Sequence, residues 1–184
     1  MRKIFLILSI LCLFSASSFA SPHENGIDDF YFGQPIEEIQ QQYELLNEEY
    51  DEEEGITKYE VQVSSLNFYD IKVDQPITLE FKNNNLCGIS FTSVITTPAE
   101  TTELYKNVVS FASVQYGKPL GNDFMATWFT GKIFLAIANI DLTEALSSIN
   151  SNNKNTAYVS VYMYEKYMGE NELKVFKQMV ASQK

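Results

Sequence analysis

Twice along this chain, a stretch with apolar residues at helical spacing is followed by stretches in which apolar and polar residues alternate. The first helical stretch begins at Pro35, a residue favoured in the first turn of a helix. Its apolar residues share one face: Ile36, Ile39, Tyr43 and Leu46. We expect this helix to run to about Glu49. Alternation of period two then begins near Lys58, with Tyr59, Val61 and Val63 on one side of a strand.

The clearest hairpin lies in the first half of the chain. Two alternating stretches, 77–81 and 86–91, flank the turn residues Lys82-Asn83-Asn84-Asn85. The alternation predicts that Cys87 shares the face of Ile89 and Phe91 as a small buried apolar residue. Before the hairpin, residues 66–73 are consistent with either a strand or an irregular crossing.

The second helix has start and stop signals at both ends. Thr97-Pro98-Ala99-Glu100 combines an N-cap, a first-turn proline and a capping-box acid. Gly117 and Pro119 end the helix. The spacing predicts one apolar face with Ala112 beside it, made of Leu104, Val108, Phe111 and Val114.

Three further strands are predicted, over 124–130, 133–138 and 157–164, with a possible helical turn within 141–149. The middle strand is apolar on both faces, which is typical of a central strand. A final helix over about 170–182 places Leu173, Phe176 and Val180 on one face.

These elements predict an α+β fold in which two units, each a helix followed by an antiparallel meander, form a helix-backed antiparallel sheet. Unit one covers about 30–95 and unit two about 96–165, within one domain of residues 30–184 closed by the last helix. Residues 21–29 are expected to be a flexible leader.

This layout, with its Gly33-Gln34-Pro35-Ile36-Glu37-Glu38-Ile39 opening, resembles small secreted α+β repeat proteins, including the β-lactamase-inhibitor-protein-like fold and the smaller outer-membrane lipoproteins. The chain differs from the inhibitor proteins because it lacks paired cysteines, and from the lipoproteins because it lacks an acylated cysteine. The resemblance lies in the order of elements and assigns no functional residue.

Residues 1–20 have the pattern of a cleavable signal peptide. Arg2 and Lys3 precede an apolar run over 4–14 that is too short to span a bilayer, and small residues lead to Ala20. We therefore expect an exported protein without a stable membrane anchor after cleavage. A lone Cys87 in the mature chain and the absence of glycosylation sites favour the bacterial periplasm, otherwise the extracellular space.

The charge of the mature chain disfavours polyanionic partners. Removal of Arg2 and Lys3 from the 13 basic residues leaves 11 against 24 acids, a net charge of −13, and none of the 11 is arginine. Nucleic acids and anionic membrane surfaces are therefore poor candidates.

The residues for most enzyme chemistries are missing. His23 is the single histidine and Cys87 the single mature cysteine, so neither a nucleophilic triad nor a zinc site is predicted. No glycine-rich phosphate loop occurs, and we expect no cofactor. The acids over 48–54 are predicted to form a solvated helix end or loop, because they lack the ligand spacing of a calcium loop. A hydrolase using two carboxylates is the remaining enzymatic alternative.

The candidate binding residues are aromatic. Tyr158, Tyr162 and Tyr164 share one face of the last strand, and Trp128 lies in another strand of the same unit. An exposed face of this kind provides a large contact area at low entropic cost. The alternatives are that cross-strand aromatic pairs stabilise the sheet, or that the final helix covers them. We expect a non-enzymatic periplasmic protein that binds an envelope protein through this face, with a small apolar-ligand carrier as the alternative.

Overall fold

The computed structural model describes residues 25–63, 66, 68–69, 71–147, 154–166 and 174. Its helices are α1 (Ile36–Gln40), α2 (Pro98–Tyr116) and α3 (Thr143–Ser147). Its strands in the first half are β1 (Gly26–Ile27), β2 (Phe30–Tyr31), β3 (Leu45–Asp51), β4 (Ile56–Val61), β5 (Ile77–Lys82) and β6 (Asn85–Thr92). Those in the second half are β7 (Leu120–Gly121), β8 (Met125–Phe129), β9 (Ile133–Asp141) and β10 (Ala157–Glu165).

The predicted α+β class is confirmed. Eight antiparallel strands form one sheet in the order β3-β4-β5-β6-β10-β9-β8-β7, and β1 and β2 form a separate hairpin. Each half of the sheet is a meander of four strands preceded by a helix. The second meander runs back toward the first, so β6 and β10 pair at the centre of the sheet. The short strand β7 and the acidic strand β3 therefore form the two edges of the sheet.

The main core lies on one face of this sheet, which we call the helix face. It is lined by aliphatic residues of the central strands, among them Ile89, Leu135 and Val161, and α2 packs against β9 and β10 there. The central strand β9 is buried on both faces from Ile133 to Ala138, as the sequence predicts.

The N-terminal residues are more integrated than expected. Residues 25–29 were predicted to belong to a loose leader, but Gly26–Ile27 pairs with Phe30–Tyr31 in a tight hairpin. The side chains of Ile27 and Phe30 are buried in the main core. Strands of two residues are too short to show an alternation of apolar and polar residues, so the sequence could not predict this packing.

The first predicted helix is shorter than expected. The helix ends at Gln40 rather than near Glu49, and Leu45–Asp51 forms the edge strand β3 instead. Leu45 pairs with Val61 and Tyr50 with Thr57, so pairing with the next strand along the chain overrides the helical period of residues 45–51. A register shift after Leu46 and the charged side chains of β3 are features that protect an edge strand from further pairing.

The acidic run therefore occupies an edge strand and a turn, not a helix end. In the turn, the Asp51 carboxylate accepts hydrogen bonds from the backbone N–H groups of Glu53 and Glu54, and Gly55 takes a φ of +65°. Within the described ranges, no three His, Cys, Asp or Glu side chains are grouped so that they could hold a metal ion.

The predicted β5–β6 hairpin is confirmed. Asn83 and Asn84 both have positive φ, which is the requirement of the two-residue turn that joins tightly twisted strands. A β-bulge follows, because Glu80 pairs with Gly88 while Phe81 pairs with Leu86. The extra residue is Cys87. It is buried, as predicted, but the bulge places it in a separate cluster with Ile56 and Tyr164 and away from Ile89 and Phe91.

Helix α2 begins with the predicted capping box, in which the Thr97 hydroxyl and the Glu100 side chain each accept a backbone N–H. Its buried face is rotated from the predicted one and consists of Thr101, Tyr105, Val108 and Ala112. Phe111 and Val114 are exposed. Polar anchors set this rotation: the Tyr105 hydroxyl donates to the Asn122 carbonyl, and the Asn139 amide donates to the Thr102 hydroxyl.

The strands at Met125–Phe129 and Ala157–Glu165 and the short helix at Thr143–Ser147 follow the predictions closely. The strand β7 was not predicted, and β9 extends beyond the predicted residue 138 to Asp141. The residues described between Leu66 and Val73 form an irregular crossing. The predicted signal peptide lies outside the described residues, as does the predicted final helix apart from Lys174. None of the helices in the described ranges is long and apolar enough to cross a membrane.

The burial of Tyr105 predicts a loss of stability at high pH. Burial, followed by the nearby charge of Asp123, raises the pKa of Tyr105 from 10.0 to about 12. Between these values an unfolded tyrosine has lost its proton while the folded one keeps it, so the free energy of unfolding falls as the pH rises through this window. We expect Tyr105→Phe to reduce that fall in urea titrations between pH 9 and about 12. If the free energy of unfolding falls equally steeply with pH in both proteins, the fall is not caused by Tyr105.

Candidate binding face

The last strand, β10, presents different chemistry on its two faces. Val159, Val161 and Met163 are fully buried on the helix face. Tyr158, Tyr162 and Tyr164 alternate with them and point to the opposite side of the sheet, which we call the tyrosine face. The sequence prediction that these three tyrosines share a face is confirmed by the register.

Trp128 does not belong to this face. It pairs with Leu135, whose other cross-strand neighbour, Met163, lies in the main core on the helix face. Trp128 is 3% exposed, and its indole Nε1–H donates to the Gly117 carbonyl across 2.7 Å. Trp128 therefore joins β8 to the end of α2, and its expected place in the binding surface is corrected. The next residue of β8, Phe129, lies on the tyrosine face instead, where it pairs with Phe134.

Tyr162 is the most exposed of the three tyrosines, at 41%. Its neighbours across the strands are Ser90 on β6 and Ala136 on β9. Both neighbours are small and Ala136 is itself buried, so the exposed surface at this point of the sheet belongs mainly to the Tyr162 side chain. An aromatic side chain held on a rigid central strand with little rotational freedom is suited to contact a partner.

Tyr164 occupies a different environment two residues further along. Its ring stacks on Phe134, with 6.5 Å between the ring centroids. It also lies over Gly88, where a β-carbon would approach the ring to 2.8 Å and the Glu80 β-carbon to 3.1 Å. Gly88 thus makes room for Tyr164 to lie close to the sheet, and Tyr164 is half-buried where Tyr162 is exposed.

The tyrosine face divides into a neutral half and a charged half. Five adjacent strands of the sheet, β6, β10, β9, β8 and β7, place only uncharged residues on this face. These residues are Gly88, Ser90, Thr92, Tyr158, Ser160, Tyr162, Tyr164, Phe134, Ala136, Ala138, Ile140, Met125, Thr127, Phe129 and Leu120. We call this set the neutral half. From β3 to β5 the corresponding positions include Glu49, Lys58, Glu60, Glu80 and Lys82.

Sequence reasoning missed most of the neutral half. Each strand shows its own alternation, but the sequence does not say which residues of β6, β8 and β9 share a side with Tyr162. That assignment depends on the pairing of Ser90 and Ala136 with Tyr162. The absence of charge at alternate positions of three strands is the one sequence signal that could have pointed to these residues.

Among the described residues, Glu80 is the one buried carboxylate. The Lys58 amine lies 3.9 Å from its carboxylate oxygen, so the group forms an ion pair at the border of the charged half. A glycosidase mechanism requires two carboxylates flanking a cleft. Nor is Cys87 placed as a nucleophile: it is buried and its thiol donates to the Glu80 carbonyl.

Comparisons with protein-family models, with curated proteins and with solved structures found no match to this chain. The resemblance to β-lactamase-inhibitor-protein-like folds remains a prediction from the order of elements.

Proposed function

We propose that this chain is an exported, non-enzymatic protein that binds another protein of the bacterial envelope through the tyrosine face. The single observation that carries the proposal is the neutral half with Tyr162 at its centre. The predicted signal peptide over residues 1–20 supports export, and the sparse histidine and cysteine content supports a binding role over catalysis.

The chemistry of the neutral half supports protein binding because charged groups are costly to remove from water. Interface centres are depleted in charge and enriched in aromatic residues for this reason. Here the total chain carries 24 acids, yet five neighbouring strands contribute none of them to the neutral half. The hydroxyl groups of Ser90, Thr92 and Tyr162 offer hydrogen bonds to a partner without adding charge.

The exposed Tyr162 and the strands that hold it suggest how the tyrosine face contacts a partner. Tyr162 projects from a central strand, and strands on both sides hold its position. Its cross-strand neighbours Ser90 and Ala136 are small, so a partner can approach the Tyr162 ring from either side. We expect binding to depend weakly on salt, because screening acts on charges and the neutral half has none.

The test is an affinity capture from an envelope extract of the native host, followed by measurement of the dissociation constant for the captured protein. We expect Tyr162→Ala to weaken binding about 30-fold or more, the range of an interface hot spot of about 2 kcal/mol. The matched control is Tyr50→Ala, since Tyr50 is an exposed tyrosine on the edge strand β3, outside the neutral half.

Equal loss of binding in both variants, or in neither, would place the contact elsewhere and reject the tyrosine face. A capture without any protein, together with a bound mass in native mass spectrometry, would support the apolar-ligand carrier instead. Turnover of a glycoside would revive the hydrolase alternative.

A further inference from the structure

Asn25 and Gly26 form the only Asn-Gly pair in the chain. Such a pair is chemically labile, because glycine has no side chain to shield its backbone nitrogen from the neighbouring asparagine amide. The two strands of the β1–β2 hairpin approach so closely that a β-carbon at Gly26 would overlap the Phe30 carbonyl oxygen. The fold therefore requires glycine at position 26, and with Asn25 before it the hairpin contains a reactive pair.

The reaction open to this pair is deamidation, and water is its only co-reactant. The Gly26 nitrogen attacks the side-chain carbon Cγ of Asn25, which forms a C–N bond and releases the Gly26 amide proton. The side-chain nitrogen takes up a proton and leaves as ammonia. Water then opens the cyclic imide: addition at Cγ yields aspartate, and addition at the main-chain carbonyl carbon yields isoaspartate. In isoaspartate the backbone runs through Cβ and Cγ, and neither product requires an oxidant or a reductant.

The hydrogen bonds of the hairpin hold Asn25 in a conformation that cannot cyclise. The Phe32 N–H donates to the Asn25 carbonyl across 2.9 Å, which makes the two residues a hydrogen-bonded pair of an antiparallel ladder. Ring closure requires rotation about the Asn25 Cα–C bond until the Gly26 nitrogen lies beside Cγ. The same rotation turns the Asn25 carbonyl away from Phe32, and Gly26 is buried as well. The hairpin must therefore open before Asn25 can react.

Apolar and polar contacts together hold the hairpin closed. Phe30 is buried in the main core, and its ring centroid lies 5.0 Å from that of Tyr43. The Tyr43 hydroxyl donates to the Asp29 carboxylate across 2.8 Å. The Tyr31 hydroxyl in β2 donates to the Glu38 carboxylate in α1. The open fraction of the hairpin thus depends on Phe30 and Tyr43, which lie outside the reacting pair.

We propose that Asn25 is a site of spontaneous modification, at which deamidation requires opening of the hairpin and the isoaspartate product prevents it from closing again. Isoaspartate adds one atom to the backbone, so the residue-25 carbonyl no longer lies opposite the Phe32 N–H when Gly26 faces Tyr31. Each strand of the hairpin has two residues, which leaves no length to absorb the extra atom. The modification converts a transient opening into a permanent one.

This inference is independent of the proposed function, because the hairpin packs in the main core and not on the tyrosine face. Its first test follows deamidation of Asn25 in the full chain by mass spectrometry, in buffer and in urea that unfolds the protein. We expect the folded wild type to react roughly tenfold more slowly or less, since only the open fraction can cyclise.

A substitution in the hairpin tests whether opening controls the rate. Phe30→Ala should raise the deamidation rate of the folded protein about tenfold or more, because it removes the buried ring that holds the hairpin closed. The matched control is Phe124→Ala, which removes an exposed phenylalanine outside the hairpin and should leave the rate unchanged.

Trp128 emission shows whether Phe30→Ala remains folded, since Trp128 is the only tryptophan and lies in the core. If the whole domain unfolds, Tyr43→Phe replaces this variant, because it removes the hydrogen bond to Asp29 and keeps the ring. We expect Tyr43→Phe to raise the rate about threefold, the effect of one lost hydrogen bond. Equal rates in the folded and the unfolded wild type, or in a folded hairpin variant and the wild type, would overturn the proposal.

The effect of the product is tested on the isoaspartate form itself. Ion exchange separates it from the unmodified chain by its added negative charge, and electron-transfer fragmentation distinguishes it from aspartate. Hydrogen exchange should show that its amides over 26–32 have lost protection while β5 and β6 keep theirs. The matched control is Asn25→Asp, which adds the same charge to a backbone of normal length and should keep the hairpin protected. Equal hairpin protection in the two forms would contradict a permanent opening.

Discussion

Replacement of Trp128 by alanine is expected to lower the free energy of unfolding by about 3–5 kcal/mol, the range for large aromatic residues removed from a core. The indole is buried among helix-face residues, and its hydrogen bond satisfies the Gly117 carbonyl at the end of α2. Alanine leaves both a cavity and an acceptor without this donor. Urea unfolding monitored by circular dichroism measures the change.

Tyr162→Ala is the comparison for this experiment. Tyr162 is exposed on the opposite face, so its loss should change the free energy of unfolding by less than about 1 kcal/mol. The two substitutions thus separate stability from binding: Trp128 acts on the first and Tyr162 on the second. A Trp128→Ala protein as stable as the wild type would mean that the register of β8 is wrong.

Gly26→Ala is the second substitution with a large expected effect. A β-carbon at Gly26 would lie 2.0 Å from the Phe30 carbonyl oxygen and 2.6 Å from the Tyr31 α-carbon, so the β1–β2 hairpin must open. Opening withdraws Ile27 and Phe30 from the core, and each buried side chain of this size contributes about 1.5–3 kcal/mol. We expect the free energy of unfolding to fall by about 3 kcal/mol or more.

Hydrogen exchange over residues 25–32 locates the effect, since those amides should lose protection before the main sheet does. Gly131→Ala is the control, because a β-carbon there meets no atom within 4 Å. If the amides of Gly26→Ala exchange at the same rate as those of the wild type, the hairpin is not part of the folded core. The prediction of a flexible leader would then be correct.

Local patterns predicted the elements that have local causes. Thr97 and Glu100 cap α2, and Asn83 and Asn84 turn the β5–β6 hairpin, as expected from these residues alone. The strand at Ala157–Glu165 and the two faces of its side chains were equally predictable, because alternation is a property of one strand.

The errors have a common cause in contacts that an element makes with residues outside itself. The stretch Leu45–Asp51 has helical spacing but pairs with β4, and the buried side of α2 is set by Asn122 and Asn139 rather than by its most apolar stripe. One extra residue at Cys87 moved that side chain to the other face. Each of these outcomes is decided by a partner in another element, which the pattern of a single element does not reveal.

The sequence by itself determined the α+β class, the order of two helix-and-meander units and the tyrosines on one side of β10. The tertiary structure decided that Trp128 supports the core while Phe129 and Ala136 join the tyrosine face. The physical reason is that a strand's alternation defines two faces without saying which one meets the helices. Only the register between strands makes that choice, because a shift by one residue turns every side chain to the other side.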